Sequence, residues 1–300
     1  MSGKSKVGFI GIGTMGTPMS ANLAAKGFDV TVYDSAPGRA AEVAREIGAQ
    51  AAEKLSDLGA CEIIVTMLPD GQVVSEVLTR ADDAALITSC ARGTIFIDMS
   101  SSEPLITRET GATLAEHGLI LVDAPVSGGL PRAESGELAL MIGASDEDVL
   151  ARVRPVLEAM GSQLFVMGGL GNGHAMKCLN NMVGGAAVAA TYEALLIGEQ
   201  FGLDPALMTD VINASTGRTF ASELVVKEHA LTGRFATGFA MGLLAKDVRI
   251  AADLATGIGV RSPYSNLTRD EFAKGRDKIG FSHDFSELLL LMKEENRTDG

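Results

Sequence analysis

One uninterrupted stretch near the middle of the chain limits the available folds more than any other feature. From Gly171 to Gln200 there is no proline, and the next one is Pro205. About 28 helical residues would span roughly 42 Å, which is longer than one small domain needs. The apolar residues of this stretch fall on all sides, and its glycines and alanines let other backbones approach closely. We therefore predict a helix over residues 174–200 that is buried all round and joins two domains.

Polar side chains interrupt this apolar helix near its start. Lys177 and Asn181 are four residues apart and therefore share a helix face. Apolar surroundings disfavour the charged form of an amine, so burial would lower the pKa of Lys177 from about 10.4 toward the range of general acid–base catalysis. The alternative is a lysine whose stem lies along the helix while its ammonium reaches solvent. The helix alone favours neither interpretation.

Composition narrows the classes of protein further. The 300 residues are 46% hydrophobic, which suits two ordinary domains with sizeable cores. The formal net charge is −13 and no basic run is present, so we expect no nucleic-acid partner. Three scattered cysteines indicate neither a disulfide framework nor a metal site. The absence of a signal peptide and of a long apolar run favours a cytoplasmic protein without a membrane partner.

A glycine-rich motif follows the first apolar run. The predicted strand Lys6–Ile10 leads into Gly11-Ile12-Gly13-Thr14-Met15-Gly16, then into a predicted helix from Thr17 to Lys26 and a second strand from Asp29 to Tyr33. In this order the glycines permit a tight turn, the approach of a pyrophosphate and close packing of helix on strand. The helix N-terminus would face the phosphates. The pattern is typical of a dinucleotide-binding site, and a glycine-rich turn without ligand is the alternative.

The residue after the second strand bears on cofactor choice. Asp34 lies 18 residues beyond the last glycine of the motif. A carboxylate there would accept hydrogen bonds from the adenosine ribose and repel a 2′-phosphate. The sequence therefore favours NAD, with NADP as the alternative cofactor.

Further strands alternate with helical stretches through the first half of the chain, which predicts a doubly wound, mostly parallel sheet. These strands are Glu62–Met67, Thr94–Met99, Leu119–Val122, Leu138–Ile142 and Gln163–Val166. The ligand crevice of such a sheet lies beyond the carboxyl ends of its strands. Loops with polar or turn residues follow three of them, and Ser127-Gly128-Gly129 could bind a small carboxylate through a hydroxyl and backbone N–H groups, although an ordinary serine-glycine turn explains it as well.

The second half of the chain shows no convincing strand. A glycine-rich hinge at residues 168–173 separates the two halves, so we predict domains at 1–168 and 169–300. Turn signals divide the second domain into helices at Leu203–Asn213, Phe220–Leu231, Thr237–Thr256, Ser265–Lys274 and Phe285–Glu294. Residues 295–300 suggest a loose tail. The second domain should thus be all-helical.

Four segments together resemble the β-hydroxyacid dehydrogenases, the family of 3-hydroxyisobutyrate dehydrogenase and tartronate semialdehyde reductase, nearly end to end. The glycine motif with Met19, Asn22 and Leu23 matches the cofactor signature, and the run from Asp123 to Gly129, with Ala133, Gly136, Met141 and Gly143, matches the substrate signature. The catalytic signature of the family is matched by Gly171, Gly173, Lys177, Asn180 and Asn181. A second cofactor contact of the family is matched by Lys246-Asp247. The resemblance makes Lys177 the expected catalytic residue.

The resemblance implies further assignments. The nicotinamide side would be lined by Leu68, Pro69 and Val73. Ser101 would replace a threonine that usually touches cofactor or substrate. Lys246 would contact the cofactor, unless it is a surface lysine paired with an aspartate. Substrate contacts would come from Ser127, Gly128, Gly129, Asn181, Asp247, Phe239 and, in the 3-hydroxyisobutyrate branch, Arg218.

The expected activity is the NAD-dependent interconversion of a small 3-hydroxy acid and its semialdehyde, with Lys177 as general acid–base. Three alternatives remain: an imine reductase, whose relatives generally lack this lysine; an NADP-dependent semialdehyde or glyoxylate reductase, which tends to carry Asn-Arg in place of Asp34-Ser35; and a non-enzymatic dinucleotide-binding dimerisation module. The long apolar helix also predicts a homodimer or homotetramer.

Overall fold

The computed structural model describes residues 5–80 and 85–296. The chain divides into two compact units, Met1–Lys177 and Cys178–Gly300. The sequence-based limits, 1–168 and 169–300, differ from these units by the first residues of the long helix. Residues 297–300 of the predicted tail lie outside the described residues.

The first unit is built on one nine-stranded sheet. Its strands are β1 (Lys6–Ile10), β2 (Asp29–Tyr33), β3 (Gln50–Ala51), β4 (Ile63–Thr66), β5 (Ile95–Asp98), β6 (Ile120–Asp123), β7 (Val126–Ser127), β8 (Leu138–Gly143) and β9 (Gly161–Gly168). They are ordered β3-β2-β1-β4-β5-β6-β8-β7, with β9 also paired to β8. The pairs from β3 through β6 are parallel in the 3-2-1-4-5-6 order of a dinucleotide-binding sheet, and β8 runs antiparallel to β6 and β7. This confirms the predicted doubly wound, mostly parallel sheet, which is a Rossmann-type fold.

Helices cover this sheet and explain the apolar character of its strands. They are α1 (Gly16–Ala25), α2 (Arg39–Ile47), α3 (Gly71–Thr79), α4 (Leu86–Ser89), α5 (Pro104–Glu116), α6 (Gly129–Ser135) and α7 (Glu147–Met160), with a 3₁₀ turn at Leu55–Ala60. Every residue of β4 and β5 is buried, as expected for central parallel strands covered on both faces. The two-residue strands β3 and β7 are absent from the sequence-based prediction.

Among its described residues, the second unit is built from helices joined by loops, as predicted. After α8 (Asn172–Phe201), which begins in the first unit, come α9 (Pro205–Ala214), a π-helix at Ala221–Ala230, α10 (Met241–Gly257), α11 (Pro263–Lys278), a 3₁₀ turn at Phe285–Glu287 and α12 (Leu288–Glu295). Its core includes Tyr192, Val248 and Phe272, all fully buried. Within the described residues, no helix is long and apolar enough to cross a membrane.

The long helix forms as predicted, but the expectation that it is buried all round is wrong for the single chain. Val183, Ile197 and Phe201 are 62%, 65% and 86% exposed. Apolar residues on every side of a helix predict burial, but the pattern does not show which of them the rest of the chain covers.

Candidate active site

The glycine motif forms the turn between β1 and α1. Gly11 has a φ of +89°, a conformation that a residue with a side chain rarely adopts. A Cβ atom on Gly16 would collide with the carbonyl oxygen of Gly11, so helix and turn could not pack as closely. Among the described residues, no atom beyond its chain neighbours lies within 4 Å of the corresponding position at Gly13. The turn therefore leaves open space where a pyrophosphate would approach the N-terminus of α1.

Asp34 stands at the end of β2, directly beside this turn. Its Oδ2 accepts a hydrogen bond from Ile12 N at 3.0 Å, and its Oδ1 accepts one from Ala36 N at 2.9 Å. Arg39, at the start of α2, donates to Ile12 O and to Thr17 Oγ1. The loop thus has a carboxylate and a guanidinium next to it, one suited to a ribose hydroxyl and the other to a 2′-phosphate.

The loops after β4 and β5 are joined to each other at the carboxyl edge of the sheet. Leu68 N donates to Ser100 Oγ at 2.8 Å, and Gly71 N donates to Glu103 Oε2 at 3.1 Å. Val73 N donates to the side chain of Asp70, the N-cap of α3, which begins the helix directly after this loop. These bonds hold the predicted nicotinamide-side residues Leu68, Pro69 and Val73 beside the loop that carries Ser101.

The predicted carboxylate-binding loop follows β6 and β7. Gly128 has a φ of +134° and Gly129 a φ of +67°, so both lie where glycine is favoured. Both residues are exposed and Ser127 is half-buried. The loop therefore exposes backbone at Gly128 and Gly129, where a small anion could bind, and the side chain of Arg132 lies next to Gly128.

The carboxylate that ends β6 holds the start of the long helix. Asp123 Oδ1 accepts a hydrogen bond from Gly171 N at 2.7 Å, and Asp123 Oδ2 accepts one from His174 N at 2.8 Å. Side chains at Gly143 or Gly173 would collide with this carboxylate. Asp123 therefore acts as the N-terminal cap of α8 from a distant strand, and these glycines leave the room it needs.

A second carboxylate lies beside the first, because Thr66, Asp98 and Asp123 are register partners at the ends of β4, β5 and β6. Asp98 accepts hydrogen bonds from Thr66 Oγ1, Ser100 N and Ser102 Oγ. The imidazole of His174 lies between the carboxylates, with Nε2 3.5 Å from Asp98 Oδ2 and Nδ1 3.8 Å from Asp123 Oδ2. All three residues are at most 1% exposed.

Burial has the largest effect on the pKa of Asp123. Burial raises the pKa of Asp123 above its ordinary value. The nearby His174 and the hydrogen bonds from the backbone N–H groups of Gly171 and His174 lower this pKa in part. The neighbouring Asp98 also raises the pKa of Asp123. The cap is consequently a desolvated carboxylate whose charge depends on these hydrogen bonds.

Lys177 is the sixth residue of α8 and is half-buried. It lies less than two turns beyond the backbone groups that Asp123 holds, and Asp123 belongs to the strand that leads toward Ser127, Gly128 and Gly129. In the first unit, Lys177 and the Ser127-Gly128-Gly129 loop are therefore both connected to the end of β6, Lys177 through the hydrogen bonds of Asp123 to the start of α8 and the loop through the chain.

In the second unit, the structure brings three predicted residues together. Asn181 Nδ2 donates to Asp247 Oδ2 at 2.6 Å, and Lys246 Nζ lies 3.9 Å from Asp247 Oδ1. Asp247 is only 3% exposed. The hydrogen bond to Asp247 therefore fixes the orientation of the Asn181 amide.

Two other predicted substrate residues have their own neighbours. The ring of Phe239 contacts that of Phe285 edge-to-face, with centroids 6.1 Å apart. Arg218 lies 3.6 Å from Glu223, and both side chains are more than half exposed. The contact with Glu223 matches the ordinary solvent-facing role that an arginine after a glycine can have.

Sequence reasoning missed Asp98 and His174 and gave Asp123 no role of its own. The available signal was an aspartate that ends each of two apolar strands, in the runs IFID and ILVD. Strand register is needed to see that the two carboxylates are neighbours.

Comparison with known proteins agrees with this architecture. Residues 6–169 match the family model for the NAD binding domain of 6-phosphogluconate dehydrogenase, and residues 171–292 match the model for the NAD-binding domain of NADP-dependent 3-hydroxyisobutyrate dehydrogenase. The chain belongs to the β-hydroxyacid dehydrogenase family. Its members are oxidoreductases, and both matched models describe binding of a nicotinamide dinucleotide.

Relatives within this family match along almost their full length. The chain is 38% identical to 2-(hydroxymethyl)glutarate dehydrogenase of Eubacterium barkeri, over 96% of this chain and 95% of that protein. It is 38% identical to 3-hydroxyisobutyrate dehydrogenase of Pseudomonas aeruginosa, over 89% and 91% of the two chains. A solved structure of the Mycobacterium tuberculosis 3-hydroxyisobutyrate dehydrogenase with L-serine has a TM-score of 0.89 at 33% identity, covering 97% of this chain and all of that one.

Proposed function

We propose that this protein is an NAD-dependent dehydrogenase that interconverts a small 3-hydroxy acid and its semialdehyde, with Lys177 as general acid–base. The observation that carries the proposal is the attachment of Lys177 and of the Ser127-Gly128-Gly129 loop to one strand end through Asp123. This arrangement suits a substrate whose carboxylate and hydroxyl are a fixed distance apart.

The relatives support one substrate class. Two relatives are named for 3-hydroxyisobutyrate and 2-(hydroxymethyl)glutarate, and the solved structure above contains L-serine. All three molecules have a primary alcohol on the carbon next to the one that bears the carboxylate. They differ in the third substituent of that central carbon. We propose this common unit as the substrate class and 3-hydroxyisobutyrate as its first candidate.

Each site residue then has a task in the oxidation direction. Ser127 and the N–H groups of Gly128 and Gly129 bind the carboxylate through charge-assisted hydrogen bonds. Lys177 Nζ accepts the hydroxyl proton, and Asn181, oriented by Asp247, directs the lysine or the hydroxyl. General acid–base catalysis of this kind is typically worth about 10² to 10⁴ in rate. The nicotinamide, when bound, supplies the acceptor for the hydride.

The dinucleotide fits the residues present. Gly11 to Gly16 would hold the pyrophosphate against the start of α1, where open space faces Gly13. Asp34 would accept the ribose hydroxyls, and its charge favours NAD over NADP. Leu68, Pro69, Val73 and Ser101 would line the nicotinamide side, and Lys246 would be a further contact.

Two alternatives are less well supported. An imine reductase would generally lack a lysine at position 177, and a non-enzymatic dimerisation module would have lost the catalytic residues that this chain retains. Both alternatives leave Ser127 and Asn181 without a task.

A substrate panel tests the proposed function. We expect oxidation of 3-hydroxyisobutyrate with NAD, measured as NADH absorbance, with L-serine and 2-(hydroxymethyl)glutarate as variants of the third substituent. Lactate, whose hydroxyl is one carbon closer to the carboxylate, serves as control and should have a kcat/KM at least about 10²-fold lower, because misplacement of the reacting group is costly. Equal activity on lactate, or none on the three 3-hydroxy acids, would contradict the proposal.

We also propose that the protein is a homodimer or homotetramer assembled through its second unit. The exposed apolar side chains of Val183, Ile197, Phe201, Leu207 and Leu267 belong to that unit and are at least 62% exposed in the single chain. Exposed apolar side chains in this number suit an interface. Light scattering at micromolar concentration should show a particle of two or four chains, and a 31.2 kDa particle would refute the assembly.

A further inference from the structure

A buried imidazole connects the start of α8 to two other elements of the first unit. His174 Nδ1 lies 2.8 Å from Thr107 Oγ1 of α5, and His174 Nε2 lies 3.5 Å from Asp98 Oδ2 at the end of β5. The backbone N–H of the same residue donates to Asp123 at the end of β6. His174 therefore meets three elements of the sheet domain from the first turn of the helix that carries Lys177.

These contacts are not those of a side chain that merely fills space. Thr107 Oγ1 also donates to Glu103 O at 3.1 Å, so its single hydrogen serves either that carbonyl or the imidazole. His174 Nε2 is fully buried and has no hydrogen-bond partner among the described residues. A buried polar atom without a hydrogen bond is uncommon and destabilising, whereas an apolar side chain would incur no such penalty. A role beyond packing would explain a histidine here.

We infer that His174 is a positioning residue that fixes the orientation of Lys177. Asp123 holds the end of α8 through two backbone N–H groups, which sets the position of the helix start. The His174 ring, which is hydrogen-bonded to Thr107 and lies beside Asp98, adds a side-chain contact that sets how the first turn is rotated about its axis. Lys177 lies three residues farther on and shares a face with His174, so this rotation determines where its amine can reach. The inference rests on the proposed role of Lys177.

The test compares two substitutions of the same residue. His174→Leu removes both ring nitrogens, and His174→Gln keeps one donor and one acceptor. Because a displacement of about 1 Å can reduce a rate by roughly 10²-fold, we expect His174→Leu to lower kcat by at least about tenfold. The KM for NAD should change less than about twofold, because the glycine motif is not involved. His174→Gln should recover most of the lost kcat.

A matched control separates positioning from general loss of stability. Val153, in α7, is fully buried in the core of the same unit, and Val153→Ala should lower the melting temperature without lowering kcat. A double-mutant cycle with Lys177→Met supplies the second control, since the effect of His174→Leu should disappear once the amine is gone. The inference would be overturned if His174→Leu kept kcat within about twofold of wild type, or if the kcat of His174→Gln were no higher than that of His174→Leu. It would also be overturned if His174→Leu lowered kcat in the Lys177→Met background as much as in wild type.

Hydrogen exchange tests the same inference without any assay of activity. The amides of Gly171 and His174 should exchange faster in His174→Leu than in wild type, and Val153→Ala should leave them unchanged. Unchanged exchange in His174→Leu would overturn the inference even if activity fell. An enzyme inactive on every 3-hydroxy acid would instead refute the proposed function, and exchange would still decide whether His174 holds the helix start.

Discussion

Removal of the Asp123 carboxylate should destabilise the first unit more than removal of an ordinary helix cap. Asp123→Ala leaves Gly171 N and His174 N without their acceptor in a fully buried position. An unsatisfied buried donor costs about 1 to 3 kcal/mol, so the two together would cost about 2 to 6 kcal/mol. Burial raises the pKa of Asp123, and loss of a desolvated carboxylate offsets part of this cost. We therefore expect a net loss of about 2 to 4 kcal/mol in the free energy of unfolding.

Asp146→Ala is the matched control. Asp146 also accepts two backbone N–H groups at a helix start, those of Asp148 and Val149 at the beginning of α7, but it is exposed. Its loss should cost about 1 kcal/mol. For a unit of this size, 1 kcal/mol corresponds to about 2 to 4 °C, so thermal melting followed by circular dichroism should show a decrease of roughly 5 to 15 °C for Asp123→Ala and of about 2 to 4 °C for Asp146→Ala. Equal decreases would refute the role of Asp123 as a buried cap.

Three further predictions concern cofactor, substrate and pH. Asp34→Asn keeps an acceptor for Ile12 N and removes the charge, so it should raise kcat/KM with NADP relative to NAD, as should Asp34→Ala. A wild-type enzyme with equal kcat/KM for NADP and NAD would refute the assignment of Asp34 to the ribose. Ser127→Ala should lower kcat/KM by about tenfold or more through a higher KM, because a hydrogen bond to a charged group is worth about 1.5 to 3 kcal/mol, and an unchanged KM would remove Ser127 from the carboxylate site. Burial raises the pKa of Asp284, but the hydrogen bonds from Ser286, Thr237 and Gly238 outweigh it and hold this pKa below its ordinary value. The carboxylate of Asp284 therefore contributes to stability above about pH 4, and this contribution is lost as the pH falls through the folded-state pKa. Denaturant unfolding of wild type and Asp284→Asn should therefore differ most near neutrality and converge in acid, and a constant difference would contradict this.

Local patterns predicted the parts of the fold that depend on neighbouring residues. The strand, glycine turn and helix at the N-terminus follow from residues close in sequence, and β1 and β2 have the predicted limits. The two-residue strands β3 and β7 are too short to show an alternation of apolar and polar residues, and the antiparallel direction of β8 depends on tertiary pairing. The predicted helix at Phe220–Leu231 is a π-helix over Ala221–Ala230, a distinction that apolar periodicity does not make.

The site divides in the same way. Spacing placed Gly11 and Asp34 in a dinucleotide-binding pattern, whereas the role expected of Lys177 came from the resemblance to a family and not from the helix alone. The contacts among Asp98, Asp123 and His174 require the register of β5 on β6 and the placement of the helix start, which join residues 98, 123 and 174 across long sequence separations. The exposure of Val183 and Ile197 is a further case, because an apolar pattern does not show which residues the rest of the chain covers.

The kcat of Lys177→Met tests the central claim most directly, because methionine keeps an unbranched apolar stem and removes the group that carries the proton. The exposed Lys26, converted to methionine, provides the control for a loss of one positive charge. General acid–base catalysis by Lys177 predicts a fall in kcat of about 10² to 10⁴, with NAD binding and melting temperature close to those of wild type, and no fall in Lys26→Met. A Lys177→Met enzyme that retained more than about a tenth of wild-type turnover would contradict the account.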